Sequence, residues 1–167
     1  MTSLRAATSA DAAGVVSVYN HFVLRSLATF EESELSAIEM ATRIADVQAS
    51  GLPWLVAIDD PNTVVGYAYA SPWQSRVGYR FTVEVSVYVA PDQTNRGLGS
   101  SLYVRLFETL KNETDVEVVI GGIALPNAAS VALHERMGMR QVAQFERVGV
   151  KQGQWLDVGY WQCHIER

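Results

Sequence analysis

The stretch from Glu84 to Leu110, EVSVYVAPDQTNRGLGSSLYVRLFETL, constrains the fold more than any other part of the chain. It begins as a β-branched, apolar run, turns at Pro91, and passes a polar loop that contains Gly97 and Gly99. From Leu98 onward, leucines recur every fourth residue, which is the spacing of a helix. Because the first N–H groups of a helix have no internal partner, glycines at this junction predict either a tight connection or an anion site.

The flanking segments extend this pattern into one mixed α/β sheet with flanking helices. Their order predicts βααβββαβαββ, and the 167 residues, 49% of them hydrophobic, predict a single domain over 1–167. The turn residues Asp59-Asp60-Pro61-Asn62 predict a hairpin. Strands are predicted around 4–7, 54–58, 64–70, 79–89, 116–124, 141–150 and 155–164, and helices over 12–23, 35–49, 98–110 and 127–137.

Composition excludes several classes of function. The net charge is −5 and no run of like charge occurs, so we expect no nucleic-acid partner and no membrane surface. No apolar stretch approaches the ~20 residues of a membrane helix, and the N-terminus has no secretory pattern, which predicts a cytoplasmic protein. The single Cys163 rules out an internal disulfide and fits a reducing compartment; a buried structural thiol or a nucleophile both stay open. We expect no metal.

The loop from Asn95 to Ser100 has the chemistry of an anion site. Its glycines allow close approach to the backbone, while Arg96 adds a guanidinium and Ser100 a hydroxyl. The Lys-Ser/Thr ending of a nucleoside-triphosphate loop is missing, and so is the spacing of a dinucleotide fold. The loop therefore indicates a pyrophosphate held mostly by backbone, with a purely structural turn as the alternative.

Further motifs follow the glycine loop and carry a resemblance. After Gly97-Leu98-Gly99 come Asn127-Ala128-Ala129-Ser130, His134 and Gly138, and together they resemble the acyl-CoA signature of the GCN5-related N-acetyltransferase (GNAT) superfamily. Within it, the chain is similar to the phosphinothricin and methionine sulfoximine N-acetyltransferases. The similar segments cover most of the chain: TFEE near Phe30, PWLVA, GYAYASPW, TVEVSVYV, RGLGSSLY, LPNAAS and GQWLDVGYWQ.

The resemblance implies a fold with splayed middle strands and a cofactor, acetyl-CoA. Its pantetheine arm pairs with the exposed edge of one central strand, and its pyrophosphate lies on the glycine loop. One position departs from the pattern: the superfamily usually has Gln or Arg where this chain has Thr94, and we expect weaker affinity rather than loss of the site. The implied cofactor-binding residues are Val87, Tyr88, Val89, Asn95, Arg96, Gly97, Leu98, Gly99, Ser100 and Asn127.

Acetyl transfer to an amine needs a base for the amine proton and a donor for the departing thiolate. Glu84 lies in a nearly apolar strand, so we expect a raised pKa and the role of general base, acting directly or through water. The resemblance also places an active-site glutamate there; the alternative is a solvent-facing strand residue. His134 lies four residues after Ser130, on one helix face. The resemblance implies that it protonates the thiolate, with helix packing as the alternative.

An amino-acid acceptor needs a partner for its carboxylate, and a bidentate arginine supplies it best. The loop between two predicted strands, residues 71–80, carries both candidate arginines, and the resemblance places the acceptor beside it. The segment between the first two helices supplies two more candidates for the pocket wall, for which a core or surface role is the alternative. The candidate acceptor-binding residues are Gln74, Ser75, Arg76, Arg80, Phe30 and Glu31.

The prediction is an N-acetyltransferase that moves acetyl from acetyl-CoA to the amino group of a small amino-acid-like acceptor of the phosphinothricin, methionine sulfoximine or methionine sulfone type. Alternatives are acetylation of a protein N-terminus or polyamine, and a non-catalytic CoA-binding sensor. The loop between Ser71 and Phe81 has no acidic residue, which disfavours a polyamine. The terminal segment GQWLDVGYWQCHI carries three large aromatics, which predict a homodimer, unless these rings only close the core.

Overall fold

The computed structural model describes residues 1–59 and 62–167. Within them, seven strands and four α-helices follow one another in the predicted order. The strands are β1 (Ser3–Ala6), β2 (Trp54–Asp59), β3 (Thr63–Pro72), β4 (Thr82–Val89), β5 (Val118–Leu125), β6 (Arg140–Lys151) and β7 (Gln154–His164). The helices are α1 (Ala12–Arg25), α2 (Ala37–Ala49), α3 (Leu98–Glu113) and α4 (Ala128–Arg136), with short 3-10 turns at Ser9–Asp11, Val77–Tyr79 and Pro91–Gln93.

All strands belong to one mixed sheet in the order β1-β2-β3-β4-β5-β7-β6. Every neighbouring pair is antiparallel except β4 and β5, which run parallel. These two strands pair over a short register that ends at Glu84 opposite Ile120. Beyond it, the rest of β4 pairs with β3 and the rest of β5 pairs with β7. The middle strands therefore diverge, which confirms the splay that the resemblance implied.

Helices cover both faces of the sheet. α3 packs on one face through its leucines, and Leu102, Leu106 and Leu110 are completely buried there. The other face is covered by α1 and α2, whose apolar side chains form a second cluster around Tyr67. Because strand side chains alternate, β4 directs its valines toward α3 and Glu84 toward the α1 and α2 face.

Local capping sets the start of α2. The Ser36 hydroxyl accepts the Glu39 N–H, and the Glu39 carboxylate accepts the Ser36 N–H, so the helix begins at Ala37. The predicted start at Leu35 was two residues early. Leu35 is instead a buried anchor, and the side chain of Asn20 hydrogen-bonds both its N–H and its carbonyl.

Other predicted boundaries differ in detail. The strand predicted from Tyr79 begins at Thr82, because Val77–Tyr79 form a 3-10 turn that breaks the extended run. The hairpin predicted at residues 59–62 falls partly outside the described residues, although β2 and β3 on either side of it do pair antiparallel. Among the described residues, no helix has the length and apolar character to cross a membrane.

Candidate active site

The divergence of β4 and β5 opens a cleft of about 220 Å³ between them. The predicted edge, Val87 to Val89, lies along one side of it. These residues pair with β3 on their other side, so the backbone groups of β4 that face the cleft are available to an extended ligand. The cleft is lined by Phe22, Ala28, Val85, Ser86, Val87, Tyr88, Val89, Thr94, Gly99, Tyr103, Gly122, Ile123, Ala124, Asn127, Ala129, Ser130, Leu133 and His134.

The glycine loop lies at one end of this cleft and has the geometry of an anion site. Asn95 and Gly97 are left-handed, with φ of 63° and 74°, and α3 begins immediately afterwards. The Ser101 N–H donates to the Gly97 carbonyl at 3.0 Å, so the N–H groups of residues 98–100 precede the first helical bond. Gly99 allows close packing, since a Cβ there would lie 3.3 Å from Leu133. The positive end of the helix dipole therefore faces the loop.

The other cofactor candidates make local contacts. The Arg96 guanidinium donates to the Gln93 Oε1 at 2.8 Å on an exposed surface. Asn127 caps α4, because its Oδ1 accepts the Ser130 N–H at 3.1 Å while the residue lines the cleft. Thr94, the unusual residue at its position, also lines the cleft, and its hydroxyl donates to the Pro91 carbonyl at 3.0 Å.

Glu84 lies at the last paired position before the middle strands separate. Its carboxylate accepts no hydrogen bond from the described residues, and burial raises its pKa above the ordinary value. A Cβ on Gly122 would lie 3.0 Å from Oε1 of Glu84 and 3.1 Å from Cε1 of Tyr160. Because Gly122 has no side chain, the Glu84 carboxylate and the Tyr160 ring can both approach its backbone, at the entrance to the cleft.

The Tyr160 ring lies beside Glu84, and the sequence analysis did not assign it to the site. Tyr160 packs edge-on against Trp73 at 5.5 Å and against Phe145 at 5.7 Å between ring centroids. Burial raises the pKa of Tyr69, and the charge of Glu84 raises it further. Tyr160 was missed because its neighbour Gly122 lies on β5, and nothing in the sequence shows that β7 pairs with β5.

His134 is 3% exposed and bonds at both ring nitrogens. Nδ1 lies 2.7 Å from the Ser130 carbonyl, which can only accept, so Nδ1 carries a hydrogen. Nε2 then accepts the Tyr103 O–H at 3.1 Å. Burial lowers the pKa of His134, opposed by its bond to Ser130, so the neutral ring is favoured. Tyr103, which the sequence analysis did not assign, is completely buried and also lines the cleft.

The predicted acceptor loop begins beside this site. The Trp73 N–H donates to the Thr82 carbonyl at 3.2 Å, which anchors the loop next to Tyr160. Gln74, Ser75, Arg76 and Arg80 are all exposed. Arg80 donates to the Val77 carbonyl at 3.1 Å and lies over the Phe81 ring, 4.3 Å from its centroid. The side chain of Arg76 has no hydrogen-bond or ion-pair partner among the described residues, which leaves its guanidinium available.

Phe30 and Glu31 belong to the segment between α1 and α2. The Phe30 ring packs on Gly149 of β6 so closely that a Cβ there would overlap it. Glu31 forms an ion pair with Arg43 at 2.5 Å and also accepts the Tyr19 O–H. The Arg43 hydrogen bond lowers the pKa of Glu31. The charge of Glu31 is therefore balanced by Arg43. From the same segment, Ala28 lines the cleft.

Two further groups bear on alternative chemistry. Cys163 is half-buried, and burial raises its pKa to about 11, which suits the structural interpretation better than the nucleophilic one. In the part of the chain that the structure describes, no group of His, Cys, Asp and Glu is arranged to hold a metal ion.

Comparison with known proteins independently indicates an acetyltransferase. Residues 4–159 match the acetyltransferase (GNAT) domain. The chain is 37% identical to phosphinothricin N-acetyltransferase from Streptomyces viridochromogenes, over 98% of this chain and 87% of the relative. It is 36% identical to the L-methionine sulfoximine/L-methionine sulfone acetyltransferase of Salmonella typhimurium, over 98% of this chain and 95% of the relative.

Solved structures share the whole fold. The acetyltransferase yncA from Salmonella typhimurium, determined with its cofactor acetyl-CoA, superimposes with a TM-score of 0.94 at 36% identity, over 99% of this chain and 94% of that one. Ribosomal-protein-alanine N-acetyltransferase from Brucella melitensis gives a TM-score of 0.92 at 34% identity, over 97% and 99%. With the cleft between diverging strands, the glycine loop at the start of α3 and these matches together, the chain belongs to the GNAT family of acetyltransferases.

Proposed function

We propose that this protein transfers the acetyl group of acetyl-CoA to the amino group of a small amino-acid-like acceptor of the phosphinothricin, methionine sulfoximine or methionine sulfone type. The observation that carries the proposal is Glu84, a carboxylate without a hydrogen-bonding partner among the described residues, at the point where the cleft opens. The relatives named for these acceptors support the substrate class.

The proposed binding site for acetyl-CoA has two parts, the glycine loop and the edge of β4. The N–H groups of residues 98–100 receive the pyrophosphate, with Asn95 and Arg96 at the rim. The free backbone edge of Val87 to Val89 pairs with the pantetheine arm, opposite Asn127. This arrangement directs the thioester along the cleft toward Glu84.

Glu84 is the proposed general base. A carboxylate with a raised pKa is a stronger proton acceptor than a free one, and it accepts the amine proton directly or through a water molecule. The rings of Trp73 and Phe145 pack on Tyr160 beside this point and offer an apolar wall to the acceptor.

The departing thiolate meets the Tyr103–His134 pair. His134 holds its hydrogen on Nδ1, so its Nε2 has a lone pair and no proton to donate. The proposed role of His134 as direct donor thus requires a second proton on a ring whose pKa is lowered. Tyr103 has a single O–H, so it becomes the donor to the thiolate when that hydrogen turns from Nε2 of His134 toward the sulfur. Because burial raises its pKa above that of a thiol, it stabilises the thiolate by a hydrogen bond, and solvent supplies the proton afterwards.

Arg76 is the proposed partner of the acceptor carboxylate, because Arg80 is already engaged by a carbonyl and a ring. Gln74 and Ser75 flank it on the same loop. Phe30 belongs to the wall of the acceptor site. Glu31 holds the same segment in place through its ion pair with Arg43.

A second candidate function has support from one comparison. The Brucella melitensis structure is named for a ribosomal-protein alanine, which favours a protein N-terminus as the alternative acceptor. Release of free thiol from acetyl-CoA, measured with amino acids, N-terminal peptides and polyamines side by side, decides between them. Turnover with methionine sulfoximine at low concentration supports the proposal. Turnover with peptides alone would replace it, and coenzyme A binding without any turnover would indicate a sensor.

We also propose a cytoplasmic homodimer. β6 is an edge strand, and Val142, Phe145, Val148 and Val150 on it are 42–57% exposed. The three terminal aromatics that prompted this prediction lie in three different environments. Trp161 is in the core, Tyr160 faces the candidate active site, and Trp155 is 57% exposed. The apolar edge of β6 is therefore the stronger argument for self-association.

A further inference from the structure

Lys151 is a buried charge that the proposed mechanism does not use. It ends β6, and it is 0% exposed. Lysine is almost never fully buried without a partner, so its surroundings need an explanation. Its Nζ donates to the carbonyl of Phe22, in the last turn of α1, at 3.4 Å. That carbonyl also accepts the Ser26 N–H at 3.1 Å, so the cation interacts favourably with the negative end of the helix dipole rather than with an unpaired group.

The turn beside Lys151 reinforces this attachment. Gln152 and Gly153 both have positive φ, 51° and 73°, which is the geometry of a tight two-residue hairpin turn. The Gln152 N–H donates to Oε1 of Glu32 at 2.9 Å, and its side chain reaches the Leu24 carbonyl at 3.4 Å. The hairpin tip, residues 149–155, is thus attached both to α1 and to the segment after it.

That segment, residues 26–36, is called the acceptor-side segment here. It has no regular secondary structure, so contacts from elsewhere must fix its position. Ala28 lines the cleft, and Phe30 packs on Gly149 of the hairpin tip. The charges of Glu32 and Glu31 act on Lys151 and oppose the lowering of its pKa by burial.

We infer that Lys151 is a positioning residue for acceptor binding: by attaching the hairpin tip to the end of α1, it fixes the acceptor-side segment against the cleft. The inference rests on the proposed function, in which this segment walls the acceptor pocket. Lys151 itself acts through the hairpin tip and touches neither the acceptor nor Glu84.

The first test is Lys151→Met, which keeps most of the length of the unbranched side chain but removes the donor. Its matched control is Lys111→Met, on the exposed surface of α3. We expect the acceptor KM to rise about fivefold to tenfold, while kcat and the acetyl-CoA Kd stay within about twofold of wild type. Amide hydrogen exchange should accelerate in residues 26–36 and stay unchanged in α3.

Glu32→Gln provides a second arm that leaves no buried space empty, because Glu32 is exposed. It weakens the bond to the Gln152 N–H, so the acceptor KM should rise in the same direction but less. Since both changes act on one attachment, the double variant should be hardly worse than Lys151→Met alone.

Three results would overturn the inference: an unchanged acceptor KM in folded Lys151→Met, an equal loss of acetyl-CoA affinity, or additive effects in the double variant. Failure of the proposed function is recognised separately. If wild type acetylates no amino acid, the exchange measurement still decides, because unchanged exchange in residues 26–36 refutes the positioning role and faster exchange supports it.

Discussion

Replacement of Glu84 by glutamine separates the chemical step from binding and also tests the environment of the carboxylate. Glu84→Gln keeps the shape of the side chain, and no described residue donates a hydrogen bond to the carboxylate that would be lost. A positioned general base contributes about 10²-fold to 10⁴-fold, or about 3–5 kcal/mol of activation free energy. We therefore expect kcat to fall by about 100-fold or more, while acetyl-CoA affinity measured by calorimetry stays near that of wild type.

The same substitution should change stability with a defined dependence on pH. The folded pKa of Glu84 lies above its ordinary value of 4.5, so the folded state holds this proton more tightly than the unfolded state does. The stability that this contributes is present below about pH 4.5 and is lost as pH rises through the folded pKa. At neutral pH the ionised, partly desolvated carboxylate is therefore a cost, and Glu84→Gln should be more stable than wild type under urea.

Below about pH 4.5 this gain should disappear, since both side chains are then neutral. At neutral pH, the difference in unfolding free energy between variant and wild type measures the pKa shift of Glu84, because each pKa unit corresponds to about 1.4 kcal/mol. The pH dependence of kcat should lose its lower limb in the variant. Wild-type-like turnover with an intact pH profile, or a variant less stable at neutral pH, would refute the assignment of Glu84 as a desolvated base.

Other parts of the proposal have their own tests. Gly97→Ala disfavours the left-handed φ of 74° by about 1–2 kcal/mol, so the free loop should relax and binding must restore its conformation. Acetyl-CoA affinity should therefore fall about tenfold; unchanged affinity by calorimetry contradicts the pyrophosphate site. Tyr103→Phe should lower kcat about tenfold or more at unchanged acetyl-CoA affinity, and a normal kcat removes it from thiolate stabilisation. Arg76→Ala should raise KM about tenfold for acceptors with a carboxylate but not for a decarboxylated analogue, whereas Arg80→Ala should have little effect; the reverse pattern exchanges their roles. Val148→Asp, on the exposed side of β6, should convert a dimer to a monomer in light scattering, and a monomeric wild type at micromolar concentration would refute the dimer.

The elements of this protein were predictable because their causes are local. Hydrophobic periodicity changes from strand to helix within the stretch that ends at Leu110. Side-chain caps, Ser36 and Asn127, begin α2 and α4. Errors were confined to element ends: α2 starts at a capping box that the periodicity of Leu35 obscured, and β4 is shortened by a 3-10 turn. The glycine loop was also readable, since a left-handed Gly97 beside a helix start is a local feature.

Part of the candidate site was readable from the sequence for the same reason. Glu84 stands out as a lone charge in an apolar strand, and His134 follows Ser130 at helical spacing. What these groups do depends on neighbours that are distant in sequence. Whether His134 donates or accepts is set by Tyr103 on another helix, and a pattern within α4 contains no information about that residue.

The sequence by itself determined the order of elements, the family signature and the identity of the lone carboxylate, because these depend on residues close together in the chain. Only the tertiary structure decided that β7 lies beside β5, which brings Tyr160 to the space left by Gly122 next to Glu84. It also decided that Glu31 forms an ion pair with Arg43 and that Lys151 hydrogen-bonds the last turn of α1. The physical reason is that pairing between distant strands and burial of charge are properties of the packed chain, and no local pattern of side chains records them.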